Sequence, residues 1–246
     1  MDPLTSAAAS GMRTSLESLD LLANNLANTQ TNGYKVDREF YDMYTSADAL
    51  AGGENDPTQM PDIIKNWTDF SQGSLQQTSN PLDFAVGGEG FFAVNGPGGN
   101  TLYTRNGSFR LSPTGQLTTQ DGYAVRDVNG NPVQLDPTQP ITVDTTGAIT
   151  QGGQTVAQLQ VASFADLSQL SKQGTTYFRF NGQAADIKRA PGEVEQGKVE
   201  GSNVTPAESA VRLVTVMRQF EMLQKAISIG TDMNHQAIEE VARSGQ

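Results

Sequence analysis

The sequence predicts an α+β fold: long N- and C-terminal α-helices packed as a coiled-coil-like hairpin, with a central all-β antiparallel domain inserted between them. Three observations carry this. Apolar residues recur at steps of three and four near both ends. Between those ends, Asn-Gly and Asp-Gly dipeptides punctuate a series of short strand-like runs. A short string ahead of the β-rich stretch is echoed behind it. The expected segments are an N-terminal helix over 1–35, a connector with short strands over 36–80, and the β domain over 81–192. A returning connector strand over 193–204 and a C-terminal helix over 205–246 complete the chain.

Leu16, Leu19, Ala23 and Leu26 define the first helical face. Asp2 followed by Pro3 supplies the start, a capping side chain with proline at the first helical position. Asn32-Gly33 supplies the stop, because glycine and asparagine enter the left-handed region cheaply. A helix over 3–28 is roughly 38 Å long at 1.5 Å per residue. Its only charges are Arg13, Glu17 and Asp20; the remaining non-apolar positions are Ser, Thr, Ala, Gly and Asn. A helix lying on its own domain usually turns more Lys and Glu outward. Small neutral side chains instead suit close contact with other chains, the alternative being an ordinary amphipathic surface helix.

The connector contains Tyr34, Phe40, Tyr41 and Tyr44 as locally buried rings and Ala51–Pro57 as an exposed loop. Over 63–80 the pattern is short strand, with Trp67, Phe70 and Leu75 as buried positions. Gln72-Gly73-Ser74-Leu75, followed by Asn80, is echoed by Gln196-Gly197-Lys198-Val199, followed by Asn203. The two copies are expected to pair and bring the termini together. From Leu82 to Arg189 strands such as Leu102-Tyr103-Thr104 and Tyr177-Phe178-Arg179-Phe180 alternate with turns at Asn106-Gly107, Asp121-Gly122, Asn129-Gly130 and Asn181-Gly182.

Thr205-Pro206-Ala207-Glu208 is a capping box opening the last helix. Leu213, Val216, Phe220, Leu223, Ile227, Gly230, Asn234, Ala237 and Val241 continue it in steps of three and four. A helix of about 55 Å follows, several times the usual length of roughly eleven residues. Long patterns of this kind suggest coiled-coil packing, here of one terminal helix on the other.

Composition narrows the function. Apolar content is 36% and charged content only 17%, with a formal net charge of −11. That balance argues against nucleic acid, which needs a basic stripe, and against a helix held on anionic lipid. Cysteine is absent, so there is neither disulfide nor thiolate ligand. This fits a reducing compartment or passage through an exporter in the unfolded state. No apolar run reaches the ~18 residues of a membrane span, and the N-terminus lacks the pattern of a secretory signal peptide.

Chemical motifs are few. Gly88-Glu89-Gly90-Phe91-Phe92-Ala93 has the form of a dinucleotide loop, but a strand rather than a helix follows it, so it reads as a turn or bulge. Asp127-Val128-Asn129-Gly130-Asn131 begins like a calcium loop, yet Pro132 occupies the glycine position and Thr138 the place of the bidentate Glu. His235 is the only histidine, so zinc or haem is not expected. Asp232 and Glu239-Glu240 read as solvated charges. Paired carboxylates brought together by the fold are the one enzymatic route left. No cofactor, metal or small-molecule substrate is expected.

Leu22-Ala23-Asn24-Asn25-Leu26-Ala27-Asn28-Thr29-Gln30-Thr31-Asn32-Gly33-Tyr34-Lys35 resembles the signature of bacterial flagellar basal-body rod and hook proteins. So do Gln72-Gly73-Ser74-Leu75 through Asn80-Pro81-Leu82-Asp83, Gly87-Gly88-Glu89-Gly90-Phe91-Phe92, Tyr103-Thr104-Arg105-Asn106-Gly107-Ser108-Phe109 and Gly201-Ser202-Asn203-Val204. The resemblance implies a non-enzymatic subunit whose terminal helices build an inner α-helical tube with the β domain outside it. It implies passage through the flagellar type III export apparatus without a cleaved signal, and a periplasmic rod that carries torque from motor to hook. The implied partners are other rod subunits, identical and paralogous, in heterologous contacts that do not close and therefore grow a helix. Length and a single modest β domain are most similar to a proximal rod segment, with distal rod or hook-type as the alternative. Met1-Asp2-Pro3-Leu4 and the stretch from Phe220 to Ala226 depart from the family pattern. The residues expected to carry assembly and packing are Leu16, Leu19, Leu22, Ala23, Asn24, Asn25, Leu26, Ala27, Asn28, Gly33 and Tyr34, together with Leu213, Val216, Phe220, Leu223 and Ile227. Outside the family, the rival readings are a β-rich glycan hydrolase and a helical adaptor.

Overall fold

The computed structural model describes residues 3–45 and 59–244; within these, side chains are described except over 3–7, 40–65, 234, 237–242 and 244. The expected loop Ala51–Pro57 lies outside the described residues, as do the side chains of Phe40, Tyr41, Tyr44, Asn234, Ala237 and Val241. The chain divides into two compact units, one of 1–27, 37–69 and 205–246, the other of 28–36 and 70–204.

The first unit holds α1 (Pro3–Ala27) and α2 (Pro206–Ser244). It also holds an antiparallel ribbon of β1 (Asp37–Thr45) and β2 (Gln59–Thr68). α1 packs on α2 and on the ribbon. Its inward side is Ala8, Thr14, Ser15, Ser18, Leu22 and Asn25, all buried, with half-buried Gly11 beside them. A Cβ built at Gly11 would meet Leu223 Cδ1 at 3.2 Å, so the small side chains set a close approach of the two helices. The ribbon takes two polar members of this face, Ser18 and Asn25. Ser18 Oγ donates to Glu39 Oε2 at 2.9 Å, and Glu39 Oε2 lies 3.6 Å from Arg212 of α2. Asn25 donates to the Asp37 carbonyl at 2.8 Å and accepts from the Asp37 amide at 3.1 Å.

This corrects the expected coiled-coil-like hairpin. The α+β class stands, but the described helices are two of unequal length, 25 and 39 residues, and an apolar seam of leucines does not join them. Leu16 is 51% exposed and Ala23 is exposed; Leu19 and Leu26 are half-buried. The leucine stripe is rotated by about a quarter turn from the packed face. The packed face is instead small and polar because it is shared with a β ribbon whose backbone and Glu39 need hydrogen-bond partners. Trp67, expected inside, is 47% exposed: it stands opposite Arg38 on the two-stranded ribbon.

The second unit is β. Its early strands are β3 (Leu75–Gln77), β4 (Phe84–Gly87), β5 (Phe91–Asn95), β6 (Thr101–Thr104), β7 (Arg110–Leu111), β8 (Leu117–Thr118) and β9 (Ala124–Val125). Next come β10 (Ile141–Val143), β11 (Ala148–Gln151), β12 (Gln154–Gln158), β13 (Val161–Phe164) and β14 (Leu170–Gln173). The last are β15 (Tyr177–Phe180), β16 (Ile187–Arg189), β17 (Glu193–Gln196) and β18 (Lys198–Glu200). The largest sheet has nine strands in the path β14-β15-β6-β5-β9-β8-β7, with β13 pairing β5 and β16 pairing β13. A three-stranded sheet β10-β11-β12 and the pairs β17-β4 and β18-β3 complete it. The strands that begin in the echoed strings pair, antiparallel, offset from the repeat itself: Lys198 stands opposite Gln77, Val199 opposite Gln76 and Glu200 opposite Leu75.

β5 shows why the pattern buries two cores. Successive side chains point to opposite faces of a strand. Phe92 and Val94 therefore join Phe84, Phe109, Leu117, Val125 and Ile149 on one side. Phe91 and Ala93 join Tyr103, Phe164 and Phe178 on the other, where Phe70 stands edge-on to Phe91 and Phe178. The strand following Gly88-Glu89-Gly90 is β5 itself, so no helix N-terminus is offered to a pyrophosphate there. At Asp127 the carboxylate accepts the amides of Asn129 at 2.9 Å and Asn131 at 2.7 Å, which makes the calcium-like string a side-chain-capped turn.

Candidate functional site

Two features stand out: the seating of Asn28–Val36 in the β unit, and the helix faces of the other unit. Beyond α1, Thr31 N–H donates to the Asn28 carbonyl at 3.2 Å, turning the chain. Gly33 follows at φ 71, left-handed backbone that disfavours any Cβ. An ideal Cβ there would lie 2.2 Å from the Asn106 nitrogen. The turn delivers the Gly33 N–H to the Glu200 carbonyl at 2.7 Å.

Tyr34, Lys35 and Glu200 are fully buried, and Arg105 is 4% exposed. Lys35 Nζ donates to Glu200 Oε1 at 2.5 Å and to the Ser71 carbonyl at 2.6 Å. Arg105 donates to Glu200 Oε2 at 3.0 Å and to the Gly88 carbonyl at 2.8 Å. The Gly73 amide also donates to Glu200 Oε1, at 2.9 Å. One carboxylate thus serves two buried cations, and the Ser71 and Gly88 carbonyls accept from them as well. Burial pushes the Arg105 guanidinium below its ordinary value, and Glu200 pulls it back up. Lys172 lies 4.0 Å over the Tyr34 ring and donates to the Lys35 carbonyl at 2.9 Å. The Val36 amide donates to Asn203 Oδ1 at 2.8 Å.

Gly33→Ala is expected to weaken this seating. The left-handed backbone alone costs about 1–2 kcal/mol for a non-glycine residue, and the backbone clash adds to it. A lowered urea midpoint of the purified protein checks this; an unchanged midpoint contradicts it.

In the helical unit, Val216 and Gly230 of α2 are buried and Leu213, Phe220, Leu223 and Ile227 half-buried, on the side that packs on α1. The opposite side of α2 is also apolar but uncovered: Val211 is 69%, Met222 64%, Ile229 50% and Met233 65% exposed. Leu16 and Ala23 on α1 are exposed as well, beside Asn24 and Ala27. The residues singled out from sequence therefore fall in three places. Leu22 and Asn25 are inside the helical unit, with Leu19 and Leu26 half-buried. Leu16, Ala23, Asn24 and Ala27 face outward. Asn28, Gly33 and Tyr34 belong to the β unit. Sequence reasoning missed Arg105 and Glu200, since nothing in a single sequence couples charges so far apart in the chain.

A cleft of about 700 Å³ in the β unit is lined by Asn28, Asn100, Asn106, Tyr123 and Tyr177 among others. Asp121 is the one carboxylate in that lining and accepts the Tyr177 hydroxyl at 2.6 Å. A glycan hydrolase needs two carboxylates flanking the bond to be broken, and this cleft supplies one. Among the described residues no helix is long and apolar enough to cross a membrane.

Comparison with known proteins gives two family matches. The D1 domain of flagellar hook proteins FlgE/F/G matches residues 85–151, and the C-terminal region of flagellar basal-body rod FlgEFG proteins matches 195–240. The chain is 30% identical over 226 residues to the flagellar basal-body rod protein FlgF of Caulobacter vibrioides, covering 92% of each. It is 32% identical over 252 residues to the rod protein FlgG of Agrobacterium fabrum, covering 92% of this chain and 94% of that one. FlgG of Borreliella burgdorferi is 31% identical over 252 residues, with the same coverage.

Proposed function

This chain belongs to the family of flagellar hook and basal-body rod proteins, and from that we propose that it is a non-enzymatic structural subunit of the rod, stacked with like and paralogous subunits into a helical shaft that carries torque from motor to hook. The observation that carries this reading is the uncovered apolar side of α2, from Val211 to Met233, opposite the side packed on α1. A monomer that leaves four large apolar side chains on one helix face in water has a surface suited to further chains. Leu16 and Ala23 on α1 add a second such surface.

The absence of cysteine is compatible with passage through the flagellar type III apparatus as an extended chain. Within the rod, length and a single modest β body favour the proximal segment, and relatives of both the FlgF and FlgG kinds match across the chain. Electron micrographs of basal bodies from a strain lacking this gene test the assignment. The expected result is a shaft that stops at the level of the inner-membrane ring. A complete rod and hook in that strain contradicts the reading, and a shaft stopped further out moves the subunit to the distal segment.

A further inference from the structure

The contacts that seat Asn28–Val36 come mostly from the far end of the chain. Lys35 reaches Glu200 across 165 residues, Val36 reaches Asn203 across 167, and Lys172 reaches the Lys35 carbonyl across 137. The two apolar clusters of the β unit include none of residues 28–36. The body therefore has its core without this segment, while the segment's Gly33 amide and Lys35 ammonium both end on Glu200.

We propose that Glu200 acts as a completion latch: Asn28–Val36 docks only once the chain through Asn203 is in place, and until then the segment stays undocked and accessible. Electrostatics enforces the order. Without Glu200, docking would bury the Lys35 ammonium and the Arg105 guanidinium without the carboxylate that both contact. It would also leave the Gly33 and Val36 amides without the Glu200 carbonyl and the Asn203 side chain that receive them. Closing a long loop adds little further entropy cost with length, so chain separation alone does not set the order; the missing countercharge does. Glu200 arrives with β18, which pairs with β3 and carries the Gly73 contact into place. The latch operates on the chain as it folds, whether or not that chain later enters a rod.

Pulse-labelled hydrogen exchange during refolding of the full chain from urea tests this. The Gly33 and Val36 amides are expected to gain protection no earlier than Gly201, whose amide marks the β18–β3 junction, and after the body amides Ala93, Leu117 and Val133. Protection of Gly33 and Val36 ahead of Gly201 overturns the proposal. In the native state, Lys35→Met leaves Glu200 paired with Arg105. It is expected to speed exchange at Gly33 and Val36 at least tenfold with Ala93, Leu117 and Val133 unchanged. Equal acceleration at all five amides, or none, overturns it, and if this variant fails to fold the wild-type refolding order decides alone.

Discussion

Replacing Glu200 with alanine is expected to lower the stability of the β unit by about 3–5 kcal/mol, the range seen when one partner of a buried ion pair is removed. The carboxylate is fully buried and receives Lys35, Arg105 and the Gly73 amide. Its loss takes the shared carboxylate away from two buried cations and from the Gly73 amide. Surface pairs in the same protein make the contrast. Arg13–Glu17, with side chains 83% and 45% exposed, should be worth under ~0.5 kcal/mol, as exposed helix pairs are. Urea unfolding monitored by circular dichroism measures both. A Glu200→Ala loss below about 1 kcal/mol would mean that water already reaches the site. The double variant with Lys35→Met should lose less than the sum of the single losses, because removing Lys35 relieves one of the stranded charges.

The second large effect is on assembly. Met222→Asp combined with Ile229→Asp should abolish motility while leaving the isolated subunit's stability within about 0.5 kcal/mol, as substitutions at exposed sites usually do. Both side chains are mostly in solvent in the monomer, so the fold loses little. A partner helix seated on that side would have to bury two carboxylates without counterions. Leu223→Asp separates the two roles, since Leu223 packs over Gly11 and its charge should disturb the helical unit itself. Swimming at the wild-type rate with a charged Met222–Ile229 face would remove the main support for helix-mediated stacking.

Much of the architecture is legible without coordinates. Turn dipeptides and alternating runs mark the β body, Pro3 and Pro206 mark the first residues of the two helices, and the strands that begin in the echoed strings pair. The inward face of α1 is not legible. A hydrophobicity pattern selects Leu16, Leu19, Ala23 and Leu26, whereas the packed residues include Ser15, Ser18 and Asn25. Ser18 and Asn25 are inside because Glu39 and the Asp37 backbone share hydrogen bonds with them, a tertiary fact that no local window contains, while the Ser15 hydroxyl donates to the Gly11 carbonyl one turn back. Trp67 fails in the opposite sense: its size argues for burial, but a two-stranded ribbon covers only part of its surface. The Lys35–Glu200–Arg105 cluster is least visible of all, since charged residues are read from sequence as solvent-facing.

Two of the edge strands of the largest sheet are short and carry exposed cations. β7 is two residues with Arg110, and β16 is three with Lys188 and Arg189, all exposed. Unpaired strand borders are templates for amyloid-like zipping, and brief, charged ones resist it. At these two borders, neighbouring copies therefore meet repelling charge rather than an open ladder.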